Sequence, residues 1–292
     1  MKTEFLNYLQ SELSRIKNKR IQITSTSQVF GGDINTTYTV TTNEEDYFIK
    51  LNTIAFTDMF KKEKDGLLLL RSAGTCLKIP EPILQGTFEQ QCFLLMEYLE
   101  KGAESKNSWQ QLATGLAQLH QTTQNHFGLD HNNYIGSLPQ NNTPTNSWAA
   151  FYAQHRILQQ MQQAFDQHKC TVTDIQLSEQ FCTKLPDLMP EEPPAILHGD
   201  LWSCNRMSIS NGEAAIYDPA VYFGHREMDI AMSLLFGGFD MHVYTVYNEV
   251  YPLQNGWRGR VDICQLYPLL VHLYLFGGHY YNAVKSILKK YT

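Results

Sequence analysis

Along the start of the chain the apolar positions Phe5, Leu6, Leu9, Leu13 and Ile16 recur at helical spacing, with Glu4, Glu12, Arg15 and Lys17 set between them. That period predicts an amphipathic helix, and the interleaved charges speak against the continuous apolar stretch of an export signal. From Ile21 to Leu51 the pattern turns to runs rich in Thr, Tyr, Val and Ile, broken at Gly31-Gly32 and at Asn43-Glu44-Glu45-Asp46, which predicts three antiparallel strands. Phe60, Leu67 and Leu70 then mark one face of a helix over Phe56 to Ser72. Two more strands are predicted at Ile83 to Phe88 and Cys92 to Glu97, parted by the turn-like Glu89-Gln90-Gln91.

Beyond Lys101-Gly102 the period is mainly helical: Trp109 to Thr122, Trp148 to His168, and Leu177, Phe181 and Leu185 spaced by four. Two short apolar runs, Ile196 to His198 and Ala215 to Tyr217, interrupt the helices and predict a small strand pair around a polar loop. The expected class is α+β and bilobal, with an N-terminal antiparallel sheet lobe over residues 1–100 and a mainly helical lobe over 101–292. A cleft is expected between them, where pockets often form.

Composition narrows the partners. A formal net charge of −6 gives no global attraction to nucleic acid or to an anionic membrane surface, so neither is expected as a partner. The longest apolar stretch, Leu269 to Phe276, is interrupted by His272 and is far short of the roughly 20 residues a membrane span needs. The six cysteines are scattered without a C-x-x-C pair, which suggests neither a zinc site nor a disulfide framework and fits a reducing cytoplasm. Nothing in the pattern selects an oligomeric state.

The chemistry concentrates in Leu197-His198-Gly199-Asp200-Leu201-Trp202-Ser203-Cys204-Asn205, followed by Ile216-Tyr217-Asp218-Pro219. Phosphoryl transfer needs one carboxylate to take or orient the proton of the attacking hydroxyl, and an amide oxygen with a second carboxylate to hold Mg²⁺ on the phosphates. The order H-x-D-x-x-x-x-N then D matches that division, with Asp200 as base and Asn205 and Asp218 as metal ligands. Taken alone, the same residues also fit a surface turn and a helix-capping Asn.

The first half supplies the other parts in order. Gly31 and Gly32 lie between two predicted strands, where backbone N–H groups approach a phosphate with no Cβ in the way. Lys50 ends the third strand among apolar neighbours, as a phosphate-binding Lys would, and Glu63 falls in the next helix as its candidate partner. Leu94 to Leu99 leaves the sheet as a candidate adenine-binding hinge, with Glu97 and Leu99 as contributors. Each signal is weak singly; their agreement in one order implies a protein-kinase-like fold using ATP and Mg²⁺.

These residues resemble the fructosamine kinase (ketosamine kinase) family, within the aminoglycoside and choline kinase branch of that fold. The likeness runs through Gly31-Gly32-Asp33-Ile34-Asn35, Phe127 to Gly136, Asn146-Ser147-Trp148 and His198 to Asn205. Its most specific part is Tyr217-Asp218-Pro219-Ala220-Val221-Tyr222-Phe223-Gly224-His225-Arg226-Glu227-Met228-Asp229, with Phe236-Gly237-Gly238-Phe239 and Leu275-Phe276-Gly277-Gly278 further on. The resemblance implies phosphorylation of a sugar hydroxyl, usually at the 3-position, in free or protein-bound ketosamines, hence a role in deglycation. It implies a substrate region near Trp202, Tyr222, His225 and Glu227, although His225 and Arg226 also fit as helix braces, and it makes Asp229 a buried brace for the catalytic loop. The chain departs from many members in carrying Asp33 where they have Cys, which removes a thiol switch in that loop. Rival readings are a choline or aminoglycoside kinase and a catalytically silent nucleotide sensor.

Overall fold

The computed structural model describes residues 1–30 and 34–292. The predicted opening helix is α1 (Thr3–Lys17), and it is followed by strands β1 (Ile23–Val29), β2 (Thr36–Thr42) and β3 (Asp46–Thr53), helix α2 (Thr57–Ser72), and strands β4 (Pro82–Phe88) and β5 (Gln91–Glu97). The five strands form one antiparallel sheet in the order β1-β2-β3-β5-β4. Because β5 is covered on both sides, Cys92 to Met96 reads as an unbroken apolar run and all five residues are buried. Phe93 and Leu95 pack with Phe5, Leu9 and Leu13 of α1, whereas Cys92, Leu94 and Met96 face Met59, Phe60, Leu67 and Leu70 of α2.

The same period-two rule acts on β3. Tyr47, Ile49 and Leu51 join the cluster under α1, so Lys50 is directed to the opposite side, where α2 lies. That core extends beyond the sheet to Leu112, Leu116 and Leu119 of α3 (Lys106–His120) and to Ile196, Leu201, Ile216 and Val221. Sheet and helices are thus joined by continuous apolar packing next to the catalytic-type motifs.

The rest of the chain runs β6 (Asn133–Ile135), β7 (Leu138–Gln140), α4 (Trp148–Tyr152), α5 (Gln159–Asp166), α6 (Val172–Leu188), β8 (Ala195–Leu197), β9 (Arg206–Ser208), β10 (Ala214–Ile216), β11 (Tyr222–Gly224), α7 (Glu227–Leu234), α8 (Met241–Val250), α9 (Val261–Phe276) and α10 (Tyr280–Tyr291). A π-helical turn, Ala153–Leu158, joins α4 to α5, so the helix expected over this stretch is continuous but locally widened. A second core gathers α4 to α6, α9 and α10, with α9 at its centre, where Ile263 to Leu273 are almost all buried. Among the described residues no helix is long and apolar enough to cross a membrane.

One pairing differs from the sequence expectation. The runs at Ile196 and Ala215 are both strands, but they do not pair with each other: β10 pairs with β9, and β8 pairs with β11. The β9–β10 partnership is local and closes through the turn at Gly212, whereas β11 reaches β8 only after the chain reverses past Asp218. The β6–β7 hairpin also escaped the reading, because three-residue strands show too little periodicity to detect.

Candidate active site

Residues far apart in the sequence meet at Lys50. Its Nζ donates to Glu63 Oε1 of α2 at 2.6 Å and to Asp218 Oδ1 at 2.5 Å. The Lys50 and Glu63 side chains are nearly buried, while that of Asp218 is 43% exposed. Burial alone would push the Lys50 ammonium down, yet the Asp218 and Glu63 carboxylates overcome it and raise its affinity for the proton.

The loop after β8 carries the second group. Gly199 has φ +82°, and a Cβ there would lie 2.1 Å from the Ala220 carbonyl oxygen, so only glycine fits where the two loops cross. Asp229, at the start of α7, braces this turn from beneath: its Oδ2 accepts from His198 N–H at 2.7 Å and its Oδ1 from Gly199 N–H at 2.9 Å. His120 of α3 stands against the same carboxylate at 3.3 Å and against the Tyr247 hydroxyl at 2.8 Å. His198 is buried with Nε2 on the Tyr217 carbonyl at 2.9 Å; a carbonyl only accepts, so Nε2 carries the proton. Burial lowers its pKa and favours this neutral form.

Asp200 is held by Asn205, whose Nδ2 donates to the Asp200 carbonyl and to its Oδ2, both at 2.9 Å. This leaves the Asn205 amide oxygen as an acceptor. The Asp200 carboxyl is pushed up to about 7, first by desolvation and then by the neighbouring charges of Asp218 and Asp229, while Asn205 and the Trp202 indole oppose the shift. One carboxylate poised near neutrality therefore lies beside a second that is already paired to an ammonium.

Asp218 itself has φ +59°, a left-handed conformation that a short polar residue tolerates. The segment after it is supported by a buried amide network that the sequence reading did not find. Asn133 Nδ2 donates to the Val221 carbonyl at 2.7 Å, and Gln140 Nε2 donates to the Ala220 carbonyl at 3.1 Å and to Asn133 Oδ1 at 2.8 Å. Asn142 Nδ2 donates to Asn133 Oδ1 at 2.7 Å, and its own Oδ1 accepts from the fully buried Arg156 at 2.7 Å. The available signal was the density of Asn and Gln around β6 and β7, but polar composition does not reveal burial.

At the candidate hinge, the Glu97 side chain is engaged by Lys78 at 2.5 Å, and its backbone N–H donates to the Glu81 carbonyl at 2.8 Å. Leu99 lies just past the end of β5 and is half-buried. Gly31, Gly32 and Asp33 lie outside the described residues. Of the residues expected near a sugar, Trp202 is partly exposed beside Asp200. Tyr222, His225 and Glu227 correct the expectation, because each is drawn into the interior. Tyr222 stacks under Arg156 and Phe151, the buried His225 ring packs against Trp148, and Glu227 makes a two-pronged ion pair with Arg260 at 2.5 and 2.9 Å. The Glu227 carboxylate is thus paired inside the fold, in line with the rule that buried charge is paired, and His225 Nδ1 accepts from the Glu227 N–H at 3.3 Å.

A sequence model described as fructosamine kinase matches residues 6–292. A protein of Enterococcus faecium named as a probable ketoamine kinase is 36% identical over 265 residues, covering 90% of this chain and 94% of that one. A crystal structure from Haemophilus somnus 129PT, assigned as a fructosamine-3-kinase, superposes with a TM-score of 0.87 at 29% identity and covers 97% of this chain and 96% of that one. An aminoglycoside phosphotransferase solved with streptomycin and ATP shares the fold, with a TM-score of 0.64 at 14% identity over 99% of this chain and 96% of that one.

Proposed function

The chain belongs to the fructosamine kinase family, and from that premise we propose that it transfers the γ-phosphoryl group of ATP to a sugar hydroxyl, at the 3-position, of a ketosamine such as a fructosamine or ribulosamine, free or attached to protein. The observation that carries the reading is the convergence on one point of Lys50, Glu63 and Asp218, beside the Asp200–Asn205 pair. No single stretch of chain contains this set, and the phosphoryl-transfer reading calls for each of its members.

In this reading residues 1–100 form the nucleotide-binding lobe and residues 101–292 the catalytic one. Lys50, oriented by Glu63, contacts the phosphates, and the backbone around Glu97 and Leu99 meets adenine. Asp200 accepts the proton of the sugar hydroxyl as its oxygen attacks the γ-phosphorus, and the bond to the β–γ bridging oxygen breaks to release ADP. The Asn205 amide oxygen and the Asp218 carboxylate are hard donors, and Asp218 is open enough to be reached, which fits Mg²⁺. When bound, that ion neutralises charge on the β- and γ-phosphates. Asp229 and His120 hold the loop that presents Asp200. A cytoplasmic setting accompanies this reading.

The test is ATP consumption with Mg²⁺ against a fructosamine, a ribulosamine, choline and an aminoglycoside, with the products identified by mass spectrometry. A ketosamine-selective product phosphorylated on the sugar is expected. Phosphorylation of only choline or the aminoglycoside would overturn the substrate assignment, and ATP binding without any product would leave a nucleotide sensor.

A further inference from the structure

The segment Phe127 to Gly136, which the phosphoryl-transfer chemistry above leaves unused, runs into the β6–β7 hairpin, and that hairpin touches both lobes. Side chains along a strand alternate in direction, so adjacent residues of β6 reach opposite neighbours. Asn133 is buried and donates from Nδ2 to the Val221 carbonyl at 2.7 Å, just past Asp218. Tyr134 donates from its hydroxyl to Asp58 Oδ2 at 3.1 Å, and Asp58 lies in the first turn of α2, the helix that carries Glu63. At the hairpin turn Gly136 lies against Ile34 of the sheet lobe, since a Cβ there would stand 3.7 Å from Ile34 Cδ1. One short hairpin therefore holds the helix of Glu63 on one side and the segment of Asp218 on the other, and these two carboxylates share the Lys50 ammonium.

A buried cation anchors the hairpin from behind. Asn142 links Asn133 to Arg156, whose hydrogen bonds among the described residues all go to neutral oxygens: the Asn141 and His155 carbonyls and the Asn142 amide. A buried charge without an opposite partner is strongly unfavourable. Here the rings of Phe151, Tyr222 and Tyr267, at 4.5, 4.3 and 5.1 Å, offset part of that cost. The π-helical turn Ala153–Leu158 carries Arg156 to this place, and such turns are rare and recur at functional sites.

The network ends on the backbone that meets the Asp200 loop. Gln140 of β7 donates to the Ala220 carbonyl at 3.1 Å and accepts from the Tyr267 hydroxyl at 2.9 Å. The Ala220 N–H in turn donates to the His198 carbonyl at 2.9 Å, where the two loops cross. A displaced hairpin thus moves Asp218 and disturbs the turn before Asp200 together.

We propose that the β6–β7 hairpin is the positioning element of the active site: Asn133 and Tyr134, through Val221 and Asp58, set the place of Asp218 relative to the helix of Glu63, and Arg156 fixes the hairpin. The assignment rests on the kinase reading above and deepens it. Lys50 reaches the phosphates in that reading only while its two carboxylate partners keep their separation, and Asp218 must stay in register as a metal ligand.

The experiment measures ATP affinity by titration calorimetry, with Mg²⁺ and with a chelator in its place, and melting temperature, for the full chain and for Tyr134→Phe, Asp58→Ala, their combination and Asn133→Ala. Asp58 is exposed and Tyr134 half-buried, so the first two changes strand no buried polar group and should leave the melting temperature near that of the parent. Each is expected to weaken MgATP binding roughly 2- to 10-fold, and the combination no more than the weaker single variant, because both remove one contact. Asn133→Ala is expected to weaken binding of MgATP more than of metal-free ATP, since it releases the segment of Asp218. Unchanged MgATP affinity in both Tyr134→Phe and Asp58→Ala would overturn the assignment, as would losses that multiply in the combination or that only follow a falling melting temperature. An equal loss with and without Mg²⁺ in Asn133→Ala would overturn the part assigned to Asn133. If Asn133→Ala does not fold, the Tyr134 and Asp58 variants decide alone. Failure of the unmodified protein to bind ATP would instead overturn the kinase reading, and this assignment with it.

Discussion

Lys50 and Asp218 are 168 residues apart in the sequence, yet the Lys50 ammonium lies 2.5 Å from the Asp218 carboxylate. The contact joins the central sheet to the loop after β10, and Glu63 completes it from α2. It makes Lys50 both a phosphate-binding group in the proposed reaction and the counter-ion of a buried carboxylate.

Those two roles separate by mutation. Lys50→Met is expected to raise the KM for MgATP and to cost about 3–5 kcal/mol of stability, because the buried Glu63 loses its partner. Lys50→Met combined with Glu63→Gln should recover most of the stability in a denaturant titration and none of the activity. Recovery of activity would remove Lys50 from the phosphate site.

Asp200→Asn is expected to lower kcat by roughly 100- to 10,000-fold, the usual contribution of a positioned base, while the KM for ATP stays near its original value. The folded-state pKa of Asp200 is raised to about 7, so the folded protein binds this proton more tightly than the unfolded chain. The favourable contribution is complete below the unfolded carboxyl pKa and is lost as the pH rises through about 7. Asp200→Asn should therefore melt at the same or a higher temperature than the parent at pH 8. An unchanged rate would remove Asp200 as base.

The same carboxyl sets a pH profile. A base must be ionised to accept a proton, so kcat/KM in the free enzyme should fall with unit slope as the pH drops below about 7. A profile flat down to pH 5 would show that no base ionising near neutrality limits the reaction.

Asp229→Ala leaves the His198 and Gly199 N–H groups without their acceptor. The expected cost is about 1–3 kcal/mol for each buried donor, with kcat falling because the turn that presents Asp200 loosens. Asp229→Asn retains an acceptor for one of the two donors and should fall between parent and Ala in both thermal stability and kcat.

Glu227→Ala tests the interior placement of the motif after β11. It breaks the paired Arg260 contact inside the fold, so a loss of about 3–5 kcal/mol in stability is expected, with the KM for the sugar unchanged in the folded fraction. A selective rise in sugar KM without destabilisation would return Glu227 to the cleft.

Much of this was legible in the residues. Period-two runs bounded by turn residues located the five-strand sheet, and the period of Phe5, Leu9 and Leu13 located its covering helix. Glu63 was a candidate partner for Lys50 from the order of a strand Lys and a helix Glu, and the family resemblance implied Asp229 as a brace; both contacts are present. Local rules failed where contacts are distant. The partner of β8 is β11 rather than β10, and Tyr222, His225 and Glu227, polar on paper, are enclosed.

The sequence alone determined what repeats locally: the helices, the strands, and the spacing of Asp200, Asn205 and Asp218, because periodicity and motif order are set by neighbours along the chain. Only the tertiary structure decided which polar residues face the cleft and which face each other, since burial depends on what packs on top. It took the folded chain to bring Tyr134 against Asp58, and to carry the buried Arg156 network to the loop that follows Asp218. No local signal encodes such meetings, because their energy comes from desolvation and pairing between segments that the sequence keeps far apart.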